Sequence, residues 1–412
     1  MSVRSSGWWV TGAGLALAAA AVSLGLLTGR PAAEPACLTS ATTTERATPE
    51  RTRYEFLSPG QAVDARGVRW LGKRGDGLRL RGTARGCWTG GRVDGPYDAS
   101  SVYECEPEHC PEAGCPTPCL AYHVTACMGP RSPGGAEIED FECTRYGDGV
   151  SRKPESGDLV IRPAYLHDLH DDAIEDDYGH SNTRVFDSLL DGVNVAFGNR
   201  QRSSVNNVAT GTAWEVRDSL IRVRPNVNPY KRRAGHGGFW KGDRDPTHQQ
   251  RFRLTDNVFV AQGPKRGGLL FPVVGYVDEC AGNTLLWAGP VAGPGGWYEA
   301  LDDQRGFADG LSDGERLTAL NATFPGCFRV VLKPLGQTEA DFLRATHKEL
   351  GGKSWVGLVE AWLARRPGAT TAAQRRRRRD ARRKIEAWRL GYDRTRPHSS
   401  LGNLRPVEFA PS

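Results

Sequence analysis

The sequence predicts an all-β chain folded as a parallel β-helix, a solenoid whose coils stack one on another. The first observation is a near-repeat. Short β-branched segments start at Ile138, Ile161 and Val185, and 161 − 138 = 23 while 185 − 161 = 24. The second is a set of Asp-led turns at Asp148-Gly149-Val150, Asp172-Ala173-Ile174 and Asp191-Gly192-Val193, spaced by 174 − 150 = 24 and 193 − 174 = 19 residues. The third is letter-level. VFDSLL from Val185 returns as VRDSLI from Val216 and as LTDNVF from Leu254, with gaps of 31 and 38 that read as loops inserted on one face. A period of about twenty-odd residues suits one coil, which cannot bury its inward side chains without neighbours. An antiparallel sandwich also spaces short strands regularly. The recurrence of Asp or Asn at one offset after each strand start favours the solenoid.

Taken in order, the chain opens on Arg4 and an uncharged, Ala- and Leu-rich run over 5–29. A basic start followed by an apolar core is the pattern of an export signal. Its core, 8–28, is also long enough to span a bilayer at about 20 residues. Residues 1–30 are therefore expected to be a signal peptide or an uncleaved membrane anchor, and the protein secreted, periplasmic or held at the membrane. Cys37 raises lipidation as a further option, although Glu34 stands where an aliphatic residue is wanted.

Residues 31–64 are polar and read as a linker, and 65–336 as the β-helix. Leu78-Arg79-Leu80-Arg81 alternates at the period of a strand. Ten cysteines suit an oxidising compartment. Four of them, Cys105, Cys110, Cys115 and Cys119, crowd an insertion at 96–134 that disulfides would pin. Zinc is the alternative, but its sites usually take two tight pairs. Residues 200–211 and 225–250 read as long exposed loops. Helical spacing at 338–350 and 355–366 predicts helices, within a segment 337–368, that cap the open C-terminal end of the solenoid.

The segments DDAIEDD, VFDSLLDGVNVAFG, GHGGFWKGD and PGCF before a Trp-bearing helix resemble secreted bacterial right-handed parallel β-helix proteins of the pectin-lyase-like superfamily. The resemblance spans about 65–368. It implies a fold, not an activity, because that superfamily holds lyases, hydrolases and proteins with no assigned reaction.

The net charge of +6 is uneven. Residues 371–412 carry twelve Lys+Arg and four Asp+Glu, 12 − 4 = +8, so the rest is 6 − 8 = −2. The body has no nucleic-acid footprint; only the tail, 369–412, is basic. Trp388, Tyr392, Arg396, Pro397, His398, Ser399, Ser400, Leu401, Gly402, Pro406, Glu408 and Phe409 stand as in the end of the integrase-type catalytic domain of DDE insertion-sequence transposases. Gly391 and Asp393 depart from that pattern. Strand transfer on such a fold needs three carboxylates around two metals. In those transposases all three precede this ending, so Asp380 and Glu386 are not the ligands. The tail is expected to be catalytically incomplete, and any contact with nucleic acid to come through it alone.

Candidate chemistry gathers in LHDLHDDAIEDDYGH, from Leu166 to His180. Asp171, Asp172 and Glu175 would serve as general acid and base on a glycosidic bond. Asp172, Glu175 and Asp177 would hold Ca²⁺ through hard oxygen ligands. Crowding raises carboxyl pKa values, as an acid role requires. His236 and Lys241, in RRAGHGGFWKGDRD, are candidate bases for a lyase if that loop folds over the acidic coil. Phe239 and Trp240 would stack on a sugar ring. The structural alternative makes Asp148, Asp172 and Asp191 a ladder of turn carboxylates, with the aromatics packed on the solenoid. The expected partner is a polysaccharide or cell-surface glycan; a non-catalytic surface or adhesive solenoid is the competing class.

Overall fold

The computed structural model describes residues 36–72, 76–95, 125–179, 181–199, 211–224, 227–228, 233–234, 238–242, 250–261, 269–293, 296–302 and 310–366. The expected signal or anchor at 1–30, the cysteines from Cys105 to Cys119, His236 and the tail from residue 367 lie outside these. Among the described residues no helix is long and apolar enough to cross a membrane.

Among the described residues strands dominate, and apart from the short pair Val227–Asn228 with Arg233–Ala234 and isolated antiparallel bridges such as Trp240 to Leu269 their pairing is parallel. Successive strands visit three sheets in rotation, an arrangement consistent with a β-helix. One coil runs Ala136–Glu139 in the first wall, Phe141–Thr144 in the second and Asp148–Ser151 in the third. The next runs Leu159–Ile161, Ala164–His167 and Asp172–Glu175, and each strand pairs with its counterpart one coil earlier.

The expected stack is present. Ile138, Ile161, Val185, Val216 and Leu254 are consecutive register partners on the first wall. Leu166, Leu190, Ile221, Phe259 and Leu285 form the matching column on the second. Met128, Val150, Ile174, Phe197 and Trp240 form it on the third. All belong to one apolar core. At about 1.5–3 kcal/mol per buried large side chain, these columns supply the main drive for stacking.

The repeated Asp-Ser/Asn pair explains the corner between the first and second walls. Asp187, Asp218 and Asp256 take positive φ of 41°, 54° and 54°. Asp tolerates this left-handed conformation better than most residues, and it turns the chain sharply between strands. The next residue points inward and bonds the neighbouring coil. Ser188 N–H donates to Ser219 Oγ at 3.2 Å, Ser219 N–H to Asn257 Oδ1 at 3.1 Å, and Asn257 N–H to Asn283 Oδ1 at 3.2 Å.

Four expectations need correction. The segment 31–64 is not a linker: Thr43–Arg46, Arg53–Phe56 and Gln61–Asp64 are strands of the first and third walls, because Tyr54, Phe56 and Val63 are buried in the core. The insertion is shorter than 96–134, since Ala126–Arg131 is a third-wall strand. The turn at Asp191 is not equivalent to that at Asp172. Val195 pairs with Asp172 and Phe197 with Ile174, and 197 − 174 = 23 restores the period that 19 had broken. The helices Glu339–Arg344 and Trp355–Arg365 do not cap an end. Phe342, Leu343, Trp355, Val359 and Trp362 cover the outward Tyr165, Leu189, Leu220, Val260 and Leu286 of the second wall, an apolar flank that water would otherwise meet.

Near the last coils lies the helix Asp313–Thr323, started by a capping box between Ser312 and Glu315, with Leu320 in the main core. Phe328–Leu332 completes the second wall against Asn283–Trp287. The docked helix also reaches the corners: Trp362 Nε1 donates to Asp187 O at 2.8 Å, and Arg366 Nε to Asp140 Oδ1 at 2.8 Å. Arg365 pairs with Asp187 in the open, with side chains 36% and 47% exposed. Arg365→Ala should therefore shift stability by less than about 1 kcal/mol in denaturant titration.

Disulfides join Cys37 to Cys87, Cys127 to Cys143 and Cys280 to Cys327. With its sulfur in a disulfide, Cys37 is unavailable for lipidation. The bridges fit an oxidising compartment.

Candidate functional site

The site forms on the outer side of the third wall, where Asp148–Ser151, Asp172–Glu175, Val195–Asn199 and Trp240–Gly242 lie side by side. Ala173 and Ile174 are both in the apolar core, so the simple in-out alternation breaks and Asp172 and Glu175 emerge together. Gly198 is the register partner of both Glu175 and Lys241. A Cβ there would come within 2.3 Å of Asp172 Oδ2. The missing side chain is what lets the Asp172 carboxylate lie flat over the wall and meet Lys241. Gly198→Ala should displace Asp172, cost about 1–2 kcal/mol by thermal melt, and weaken any ligand held by that carboxylate.

Lys241 Nζ donates to Asp172 Oδ2 and stands 4.0 Å from Asp171 Oδ1. One carboxylate oxygen from each of Asp148, Asp171 and Asp172 lies within 4.8 Å of the others. Asp148 Oδ1 accepts the Asp172 N–H at 3.2 Å, tying the cluster across two coils. Asp148 and Asp172 are fully buried, and among the described residues Asp148 Oδ2 and Asp172 Oδ1 receive no hydrogen bond. Glu175 Oε2 accepts from Ser151 Oγ at 2.7 Å, and that hydroxyl accepts from Lys153 Nζ at 3.1 Å.

The electrostatics follow from crowding. Burial pushes the Asp148 carboxyl well above the usual range, and Glu175, Asp171 and Asp172 push it further. Burial does the same to Asp172; Lys241 opposes it, while Asp171 and Glu175 add to it. Burial would lower the Lys241 ammonium, but Asp171, Asp172, Glu175 and Asp177 outweigh it and hold the group well above the ordinary lysine value. Lys241 is therefore a counter-ion or a proton donor, not the neutral base that lyase chemistry would ask of it.

Asp171, Asp172, Glu175 and Lys241 are thus brought together as the sequence suggested. The trio of close oxygens is Asp148, Asp171 and Asp172, however, and not Asp172, Glu175 and Asp177. Glu175 is engaged by Ser151, and the strand ends before Asp177, which acts on Lys241 through its charge. Asp191 leaves the proposed ladder, lying on the second wall with Arg222 Nε at 2.6 Å. Asp176 forms a buried pair with Arg152 at 2.8 Å. Phe239 and Trp240 are core residues, 1% and 2% exposed, and cannot stack on a sugar. Asp148 was visible in the sequence as a turn residue. Its membership could be found only by placing it one coil beneath Asp172.

A second polar group, on the second wall, went unnoticed. His167 Nδ1 is 2.9 Å from Asp168 Oδ2, its Nε2 is 3.7 Å from Glu142 Oε1, and its ring stacks on Tyr165 at 4.2 Å. Burial opposes ionisation of Glu142, but the His167 hydrogen bond and the Arg366 and Arg92 charges hold it below the usual carboxylate range. The docked C-terminal helix covers this group, which gives it a structural part.

The donor set of the third-wall cluster is all hard oxygen, which suits Ca²⁺ or Mg²⁺ rather than a softer metal. Two orphaned buried oxygens are what such an ion would satisfy. Oxygens this close leave little room for the water of inverting glycoside hydrolysis, whose carboxyl groups stand about 6.5–9.5 Å apart.

Among known families, the model described as Integrase core domain matches residues 364–406, that is 406 − 364 + 1 = 43 of 412 residues. Its first three residues belong to the docked helix and the chain just after it. No curated protein and no solved structure matches the chain.

Proposed function

We propose that this is an exported β-helix protein that binds or cleaves an extracellular polysaccharide at the Asp148–Asp171–Asp172–Lys241 cluster. The observation that carries the reading is the pair of buried oxygens, Asp148 Oδ2 and Asp172 Oδ1, that no described residue bonds, within a trio of close carboxylates. Burying several carboxylates against one ammonium is costly unless protons or a cation complete the charge. A hard divalent cation, Ca²⁺ in the first instance, would be held by Asp148, Asp171 and Asp172 and would polarise an acidic sugar brought to it. Of the chain's own groups, Lys241 orients Asp172 and holds a proton within reach of substrate, and Glu175 is kept in place by Ser151. Asp171 and Lys241, with side chains 11% and 12% exposed, are less enclosed than Asp148 and Asp172. The three disulfides among the described residues and the apolar N-terminal run support export, and parallel crossovers are almost always right-handed, which supports that hand here.

The test is calorimetric Ca²⁺ titration together with turnover on a broad glycan panel. Asp172→Asn should abolish both and leave far-ultraviolet circular dichroism unchanged. If no glycan is bound or cleaved, the reading fails. A second reading, a non-catalytic surface solenoid, is favoured by the complete burial of Asp148 and Asp172. In that case Ca²⁺ and glycans leave the melting temperature unmoved. The integrase match supports a fused remnant of an insertion element, and plasmid strand transfer is expected to be absent.

A further inference from the structure

The charge pattern of the first three third-wall coils differs from that of the first wall, and its arginines lack the shared carboxylate that Asp94 gives the opposed Arg69 and Arg92 on the second. On the first wall, outward charges alternate in sign across the coils. Glu137 pairs with Arg85 at 3.1 Å and also with Arg162, while Arg184 lies 3.8 Å from Asp158 and 3.7 Å from Glu215. Such alternation is what a solvated face of a parallel sheet needs, because like charges directly opposite repel. The third wall breaks the rule. Arg53 is the register partner of Arg79, and Arg81 of Arg131, on the adjacent strands Arg53–Phe56, Leu78–Gly82 and Ala126–Arg131. Arg53, Arg81 and Arg131 are exposed, and among the described residues none has an ion pair; Arg79 has only Asp76, at 3.4 Å. Among the described residues two acids face this column, Glu55 as register partner of Arg81 and Asp76 beside Arg79 and Gly129, against four arginines and Lys153.

The column continues into the candidate site. Beyond Arg79 the same outward row holds Gly129, and a Cβ there would meet Lys153 Cε at 3.2 Å. The Lys153 stem therefore lies over that gap, and its ammonium reaches Ser151, whose hydroxyl donates to Glu175. Coils are about 4.8 Å apart. Four successive coils thus each bring at least one cation to this wall, Arg53, then Arg79 and Arg81, then Arg131, then Lys153, before the carboxylate cluster.

We infer that Arg53, Arg79, Arg81, Arg131 and Lys153 form an anion-recognising track for a polysaccharide bearing carboxylate or sulfate groups, laid across the coils with one end at Asp171 and Lys241. Repulsion within the column is relieved by a ligand whose negative charges repeat along its length, and guanidinium groups bind such oxyanions in bidentate fashion. The inference rests on the polysaccharide reading and narrows its substrate to anionic chains.

The experiment compares the full-length protein with Arg81→Glu/Arg131→Glu on immobilised polygalacturonate, dextran sulfate and neutral dextran across a salt series. A charge-matched control, Arg253→Glu/Arg329→Glu, changes two exposed arginines on the other walls and keeps the basic tail constant. The track variant should lose affinity for one of the anionic polymers by about tenfold or more, the control should retain it, and neutral dextran should not bind. Equal losses in both variants would assign the binding to net charge and overturn the track, as would unchanged affinity in the track variant. Tighter wild-type binding to duplex DNA or to anionic vesicles than to either polymer would also overturn it. Ca²⁺ titration separates the two readings. If the cluster reading alone fails, polymer retention survives without Ca²⁺ binding; if the track alone fails, Ca²⁺ binding survives with no preference for anionic polymer.

Discussion

Asn257→Leu should cost at least about 3 kcal/mol and bring the chain close to unfolding at physiological temperature. Leu has as many side-chain heavy atoms as Asn but is bulkier, so no cavity opens and the lost hydrogen bonds are joined by some overpacking. Asn257 Nδ2 donates to Val216 O at 2.8 Å and to Asn283 Oδ1 at 3.0 Å, while its Oδ1 accepts the Ser219 N–H at 3.1 Å. All three partners are enclosed between coils, where water cannot replace Asn257, and each orphaned group costs about 1–3 kcal/mol. The damage should spread, because Asn283 also donates to Leu254 O and Cys327 O and holds the next coil. Guanidinium titration should show a lower midpoint. An unchanged midpoint would mean that the ladder contributes geometry without net stability.

Asp148→Asn should act in the opposite direction on stability while abolishing cation binding. The Asn carbonyl still accepts the Asp172 N–H, but one buried negative charge is gone. At pH 8 the variant should gain about 1–3 kcal/mol over the parent, the usual cost of an uncompensated buried polar group. The sign follows from proton linkage. Asp148 and Asp172 are raised in the folded chain, so it binds more protons than the unfolded chain above about pH 4, the ordinary Asp value. Stability from these groups is complete at acid pH and is lost as pH rises through their elevated folded values. Lys241, also raised, stays protonated across that range and adds no slope. The parent should therefore melt at a higher temperature at pH 5.5 than at pH 8, and Asp148→Asn should flatten that difference. Saturating Ca²⁺ should stabilise the parent at pH 8 and not the variant. A structural ladder would give the reverse ranking, with Asp148→Asn the less stable protein at both pH values. A gain in stability bought with lost binding marks a functional cluster.

The chain's letters were enough to place the columns of the core. Ile138, Ile161, Val185, Val216 and Leu254 could be aligned by spacing alone, because inward residues of a solenoid must repeat if coils are to stack. The repeated Asp-Ser/Asn pair was equally legible, since a left-handed corner and an inward hydrogen-bonding ladder both restrict residue choice. Reading failed where the period was interrupted. Asp191 looked like the successor of Asp172, yet the second wall had already claimed it, and only pairing through Val195 and Phe197 shows this. Residues 31–64 seemed too polar for a core because strands with one exposed face carry every other residue outward, as Arg53 and Glu55 do beside Tyr54 and Phe56.

By itself, then, the sequence determined the all-β class, the coil period and the acidic segment from Asp171 to Asp177. Tertiary structure decided which acids meet. Asp148 joins Asp171 and Asp172 from one coil away, and Lys241 reaches them from the strand 69 residues after Asp172. It also decided that the C-terminal helices lie along the second wall rather than over an end. The physical reason is common to both. Spacing fixes which residues point inward within a coil, but contacts between coils and across a flank depend on how many residues each loop consumes and on which apolar surface remains uncovered once the coils have stacked.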